Sequence, residues 1–180
     1  MSLRRKVYFT LFTIFLIFLI YFFYSFGPSN VVELVGVQNT YLILFIIAMI
    51  GGVSAFTSGT FYAVFITFLL GGSNPILLSV IGGLGLTIGD SLFFYFGYKG
   101  REVANKTRFK ERLHKLSHWL KGHSESFIFG LVYLYVSFAP FPKDIVSVIL
   151  GLLNFRFRIA IFAFFLGNIT HCLAISYLIL

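Results

Sequence analysis

Apolar and polar positions divide the 180-residue chain into five hydrophobic blocks, at residues 7–26, 41–70, 76–98, 127–153 and 159–180. The first, third and fifth are continuous and close to the roughly 20 residues that carry an α-helix across a bilayer. The other two are interrupted. Residues 41–70 contain Gly51-Gly52 followed by Ser54, Thr57, Ser58, Gly59 and Thr60, and residues 127–153 contain Pro140-Phe141-Pro142-Lys143-Asp144. Pro140 and Pro142 lack N–H donors and stop a helix. Cut at its polar centre, each block leaves arms of about 10–15 residues, which reach only ~15–22 Å at ~1.5 Å per residue. A hydrocarbon core is ~30 Å thick. Each interrupted block is therefore one broken span or a re-entrant hairpin that enters and leaves on one side.

Charge parity chooses between these. Lys and Arg concentrate in short cytoplasmic loops. Arg4, Arg5 and Lys6 place the N-terminus inside, and residues 27–76 contain no Lys or Arg, which suits the outside. The block at 76–98 must end inside, because eight basic residues lie between Lys99 and Lys121. Residues 41–70 then cross twice or not at all, and they are too short to cross twice. Lys121 before and Arg156 and Arg158 after residues 127–153 put both flanks of that block inside as well. This topology places 13 of the 14 basic residues in the cytoplasm, the exception being Lys143 at a hairpin tip.

Composition changes the solvent. Hydrophobic residues make up 58% of the chain and charged residues 11%, against about 25% charged in soluble domains. Lipid must surround most of it. The net charge of +8 does not imply nucleic acid, because the basic residues punctuate apolar segments instead of lining a soluble face. Block 7–26 is longer than a signal-peptide core and lacks a small-x-small cleavage site, so it reads as an uncleaved span. The fold class expected is an all-α integral membrane protein forming one domain over residues 1–180. It has three full spans (7–26, 76–98, 159–180) and two oppositely oriented re-entrant helical hairpins (41–70, 127–153). It belongs in a plasma or inner membrane, with the N-terminus cytoplasmic and the C-terminus outside.

The cytoplasmic stretch 99–125 predicts an amphipathic helix, because Phe109, Leu113, Leu116 and Leu120 recur at helical spacing. Arg108, Lys110, Arg112 and Lys115 cover its other faces. Such a helix lies in an anionic headgroup layer and anchors topology. His114 and His118 share a face but have no third ligand, so no metal site is expected. Cys172 has no partner cysteine and reads as a small packed residue. No cofactor is implied.

An ionisable group inside hydrocarbon ordinarily faces a cavity or a partner. Asp90 sits in the middle of block 76–98. It is a candidate for handling protons or a lipid headgroup, or else a structural carboxylate bonded to a buried hydroxyl or to Lys143. Gly85 and Gly89 nearby form a small-xxx-small pair that lets helices approach. Lys143 is a candidate receptor for an anionic headgroup, the alternative being an ion pair with Asp144 or Asp90. Asp144 either relays protons beside Lys143 or caps the second arm. Arg156 and Arg158 alternate with Phe155 and Phe157, which fits snorkelling at the interface or gathering of phosphate. Ser54 to Thr60 offer hydroxyls for a turn. Asn168 and His171, at i and i+3, share a face with Thr170 nearby and suit helix–helix hydrogen bonds.

A faint internal repeat accompanies this pattern. Leu70-Gly71 and Asn74 match Leu150-Gly151 and Asn154, and Gly89-Asp90 matches Gly167-Asn168. The two copies have opposite topology, as in transporters built from inverted repeats with broken helices. At these residues the chain resembles the DedA family, also described as VTT-domain or SNARE-associated proteins. Gly89-Asp90 with Tyr95, Gly97 and Gly100 is similar to its first element. Phe138-Ala139-Pro140-Phe141-Pro142-Lys143, Gly151, Phe157 and Gly167-Asn168 are similar to its second. Lys143 and Ser137 stand where many members carry Arg, and a glutamate typical of the first hairpin is not evident. The resemblance implies facing re-entrant hairpins and movement of lipids across the bilayer. Its implied substrate is polyprenyl phosphate or another anionic lipid, and its implied partners are membrane lipids, with a homo-oligomer left open. A proton- or ion-coupled small-solute transporter would share the topology and the buried charges. An enzyme acting on lipid phosphates finds no paired-aspartate metal motif, no G-x-S-x-G nucleophile and no histidine-rich core here.

The topology makes a direct prediction. Single cysteines introduced at Asn39 and Asn154 should label from opposite sides of the membrane with an impermeant thiol reagent, and labelling from one side would break the parity argument.

Overall fold

The computed structural model describes residues 28–51, 55–104, 110–139 and 143–180. Eight α-helices and no strand lie among the described residues. They are α1 (Pro28–Val35), α2 (Val37–Gly51), α3 (Ala55–Leu70), α4 (Pro75–Ala104), α5 (Lys110–Lys121), α6 (Glu125–Phe138), α7 (Lys143–Leu152) and α8 (Phe157–Ile179). Block 7–26 and the connections at 52–54 and 140–142 lie outside the described residues. Stretches Pro75–Glu102 and Phe157–Ile179 are long and apolar enough to cross a membrane. The interrupted blocks resolve into two pairs of short helices, α2–α3 and α6–α7. The first resumes earlier than its polar residues suggest: α3 begins at Ala55, so Gly59 and Thr60 are helical instead of lying in a turn.

Local chemistry sets the helix ends. Asn74 precedes Pro75, and its Oδ1 accepts from the N–H groups of Ile76 at 3.0 Å and Leu77 at 3.2 Å. That is an N-cap followed by proline, whose missing N–H is an orphan donor in the first turn anyway. Ser124 caps α6 through the Phe127 N–H. Ala139 stops α6 in extended backbone, at φ −74° and ψ 133°, the conformation that a following proline imposes.

The internal repeat is visible in the turns before the two long helices. After α3, Gly72 has φ 88°, its N–H donates to the Leu69 carbonyl, and the Ser73 N–H donates to Phe68. After α7, Asn154 has φ 55°, its N–H donates to Gly151, and the Phe155 N–H donates to Leu150. Both are left-handed helix terminations, which Gly and Asn accommodate best. Each lies three residues before the start of a long helix. Superposing these turns equates Pro75 with Phe157 and Gly85 with Gly167. The packing agrees. A β-carbon at Gly85 would fall 2.5 Å from the Ala48 methyl and 2.8 Å from the Phe45 carbonyl, while one at Gly167 would fall 2.8 Å from Val136 and 3.3 Å from the Tyr133 carbonyl. The sequence matches of Leu70-Gly71 with Leu150-Gly151 and of Asn74 with Asn154 are thus displaced by two residues, and that of Gly89 with Gly167 by four. The larger slip is about one helical turn, so it kept the same face and escaped detection.

Helices α4 and α8 run antiparallel through the centre, with Ser79 against Ser176, Gly83 against Ile169 and Phe94 against Phe157. Helix α2 packs on α4, and α6 packs on α8. Two apolar clusters result. One gathers Leu44, Phe61, Phe65, Leu69, Leu78, Leu86 and Cys172. The other gathers Phe94, Ile128, Val132, Val136, Leu150, Ala160 and Phe164. Cys172 is the packed apolar residue expected of it. Leu120 of α5 packs against the second cluster, and Leu116 and Trp119 are exposed.

The repeat is not symmetric in packing. Helix α7 lies tightly on α4, whereas α3 touches α8 only sparsely and leans on α2 and α1. The cause is one crossing. A β-carbon at Gly97 would collide with the Val148 carbonyl, and one at Gly151 with the Phe94 carbonyl. The turn superposition equates this Gly97/Gly151 pair with Ile179 and Leu69, larger side chains that pack in the first apolar cluster. Gly97→Val and Gly151→Val should each destabilise the protein by about 2–3 kcal/mol, the range for overpacking against a part that cannot yield. Gly100→Ala, where a β-carbon would meet only Leu152 at 4.0 Å, should be neutral or gain up to ~1 kcal/mol of helix propensity. Unfolding of the full chain in detergent measures both.

Candidate functional site

A layer of polar side chains lies between the two apolar clusters, at the middle of α4 and α8. Along α4 the order is Leu78 and Leu86, then Thr87 and Asp90, then Phe94. Along α8 it is Ala160 and Phe164, then Asn168 and His171, then Cys172. Asp90 is 2% exposed and Asn168 is fully buried. Side chains this deep must find hydrogen-bond partners within the protein.

They do so as a connected chain. The Asn168 amide donates to Asp90 Oδ2 at 2.7 Å and to Thr87 Oγ at 3.3 Å. Thr87 in turn donates to the Gly83 carbonyl at 2.7 Å. Ser147 donates to Asp90 Oδ1 at 3.3 Å. The Lys143 ammonium donates to Asn168 Oδ1 at 3.1 Å. Three helices contribute these side chains, none from more than about a turn: Thr87 and Asp90 stand three apart on α4, Lys143 and Ser147 four apart on α7, and Asn168 comes from α8. Each pair shares a face. The chain brings Asp90 and Lys143 into one site without a direct contact. The one ion pair among the described residues joins Arg156 and Glu125 at the surface.

A second polar bridge adjoins the first. His171 Nδ1 lies 2.9 Å from the Ser137 carbonyl, and its Nε2 lies 2.8 Å from the Tyr62 hydroxyl. A carbonyl only accepts, so Nδ1 carries a proton, and in the neutral ring Nε2 then accepts from the Tyr62 hydroxyl. This bridge fastens α3 and α6 to α8. Nearby, the hydroxyls of Tyr133 and Thr170 lie 3.1 Å apart. Asn168, Thr170 and His171 thus make the helix–helix hydrogen bonds expected of them.

Asp144 occupies the first turn of α7, where a carboxylate faces unpaired backbone N–H groups and the positive end of the helix. It is half-buried beside the chain but not hydrogen-bonded into it. Arg156 and Arg158 are not part of the site. Both are exposed at the start of α8, and Arg156 stands 2.8 Å from Glu125. Twelve residues separate Arg156 from Asn168, about 18 Å along a helix. The sequence reading overlooked Ser147, Thr87 and Tyr62. Helical spacing from Lys143 and Asp90 marks the first two. Nothing in the sequence marks Tyr62, which reaches His171 from 109 residues away.

Tyr62→Phe should lower stability by about 1 kcal/mol, the net worth of one hydrogen bond. The double mutant with His171→Phe should lose less than the two single losses combined, as expected of residues that interact directly. Denaturant unfolding of the four proteins checks this.

Comparison with known proteins gives one match. The family model of the VTT domain matches residues 58–180. That span runs from α3 to the end of α8 and holds every member of the polar chain. No curated protein and no solved structure matches the sequence.

Proposed function

The chain belongs to the VTT-domain family, the DedA and SNARE-associated family of membrane proteins, and from that premise we propose that it moves an anionic lipid, such as a polyprenyl phosphate, between the leaflets of the bilayer. The observation that carries this reading is Lys143. Its ammonium has three donors, and the contact to Asn168 engages one. A cation with one donor engaged among the described residues, set in an apolar helical body, is suited to a phosphate group. Lys143 is accordingly the proposed headgroup receptor. Asp90 and Asp144 are proposed to set the charge around it and to exchange protons.

The proposed topology supports the same reading. Helices of 15, 16, 14 and 10 residues extend about 15–24 Å, too short to cross ~30 Å alone. As re-entrant hairpins entering from opposite faces, α2–α3 and α6–α7 would bring their breaks towards the centre of the membrane. A headgroup could then pass along polar backbone while its tail stays in lipid. Irregular backbone at that depth is tolerated only beside protein or water. The N-terminus is placed in the cytoplasm, with a first span at residues 7–26 and the C-terminus outside.

Reconstitution tests this. Purified protein in liposomes should move a labelled anionic lipid between leaflets, and Lys143→Ala and Asp90→Asn should each slow that movement at least tenfold. Undiminished transport by both variants would remove the residue assignments. Solute flux with no lipid movement would replace the reading with a coupled small-solute transporter.

A further inference from the structure

We propose that Asn168 is a positioning residue whose amide holds Lys143 away from Asp90, so that the ammonium keeps donors free for a phosphate group. This rests on the reading of Lys143 as a headgroup receptor.

The geometry is directional. Asn168 presents Oδ1 to the ammonium at 3.1 Å and Nδ2 to the carboxylate at 2.7 Å. Each end of the amide meets the charge that it complements. A flipped amide would set its donors against the cation and its acceptor against the anion. Thr87 reinforces the orientation: its own proton is committed to the Gly83 carbonyl, so its oxygen accepts from Nδ2 at 3.3 Å. Ser147 occupies the second oxygen of Asp90. Both carboxylate oxygens are thereby engaged, while among the described residues the lysine ammonium donates to Asn168 alone.

Without the spacer the opposite charges would close on each other. Attraction between unit charges strengthens severalfold as the surroundings become less polar than water. A closed Lys143–Asp90 pair would compete with any phosphate. Separation by a neutral amide keeps the carboxylate near enough to stabilise the cation and too far to quench it. Asn168 is fully buried, so the amide is itself shielded from solvent exchange.

A charge-conserving swap separates this role from simple neutralisation of buried charge. Asp90→Asn combined with Asn168→Asp keeps one carboxylate, one amide and one ammonium among the three positions. It moves the carboxylate into contact with Lys143. The measurement is native mass spectrometry of the full chain in detergent, titrated with phosphatidic acid, with phosphatidylcholine as the zwitterionic control and inorganic phosphate as a separate arm. The swap should bind the net-anionic ligand, phosphatidic acid or inorganic phosphate, at least tenfold more weakly while binding of the zwitterionic phosphatidylcholine stays unchanged. Weakening confined to phosphatidic acid identifies a lipid headgroup as the ligand, and weakening confined to inorganic phosphate identifies a free anion. Should the swap fail to fold, Asn168→Ser, which shortens the spacer, should show the same selective loss. Wild-type affinity in a folded variant overturns the spacer role alone. A wild-type protein that prefers neither phosphate ligand overturns the receptor reading beneath it.

Discussion

The hydrogen bond from Asn168 to Asp90 holds the two halves of the domain in register. It joins α4 to α8 at their midpoints, where Thr87 of α4 accepts from the same amide. A buried carboxylate without partners is strongly destabilising. Asp90 therefore fixes where α8 must sit, because Asn168 has to reach it. It also fixes α7, because Ser147 has to reach its other oxygen. The apolar clusters on either side supply van der Waals packing but little direction, since lipid tails are as apolar as these side chains. The polar layer supplies the direction.

The repeat shows how one half was specialised. The turn superposition pairs Lys143 with Phe61, Ser147 with Phe65 and Asp90 with Cys172. Phe61, Phe65 and Cys172 are fully buried in the first apolar cluster. At these paired positions the crossing of a short helix over a long one is thus charged in one copy and uncharged in the other, where the Tyr62–His171 bond is the polar contact. Aromatic bulk fills the first crossing. Glycine at Gly97 and Gly151 closes the second until backbones touch. Two copies of one architecture yield a single charged site.

Much of this was legible in the sequence, and the exceptions have physical causes. Hydropathy marked the two long helices because lipid demands continuous apolar length. The broken blocks were legible because Pro140 and Pro142 remove backbone donors. Asp90 and Lys143 stood out because charge in hydrocarbon is rare. Their mode of contact was hidden: the expected alternatives for Lys143 were direct ion pairs, whereas an intervening amide joins it to Asp90. An asparagine on a helix face has too many innocent uses to announce that role. Arg156 and Arg158 stand exposed at the start of α8, away from this polar chain, a separation that charge alone does not reveal. Tyr62 was invisible because its partner, His171, lies at the far end of the chain and aromatic residues are everywhere in this composition.

The placement of Lys143 follows from what anchors the other end of its helix. Helix α7 has only ten residues, about 15 Å, and an isolated helix of that length is unstable. Contact between the backbones at Gly151 and Gly97 pins its C-terminal end to α4. The bond from Ser147 to Asp90 pins its middle. Two fixed points leave the first turn little freedom, although it follows directly on the proline break. The lysine is thus held by helix geometry instead of by a loop, and its side chain needs only one further restraint, the Asn168 carbonyl. A receptor built in this way presents its charge at a fixed depth. On the proposed reading, in which a headgroup passes between two short helices, that is the condition under which a single cation can select for negative charge.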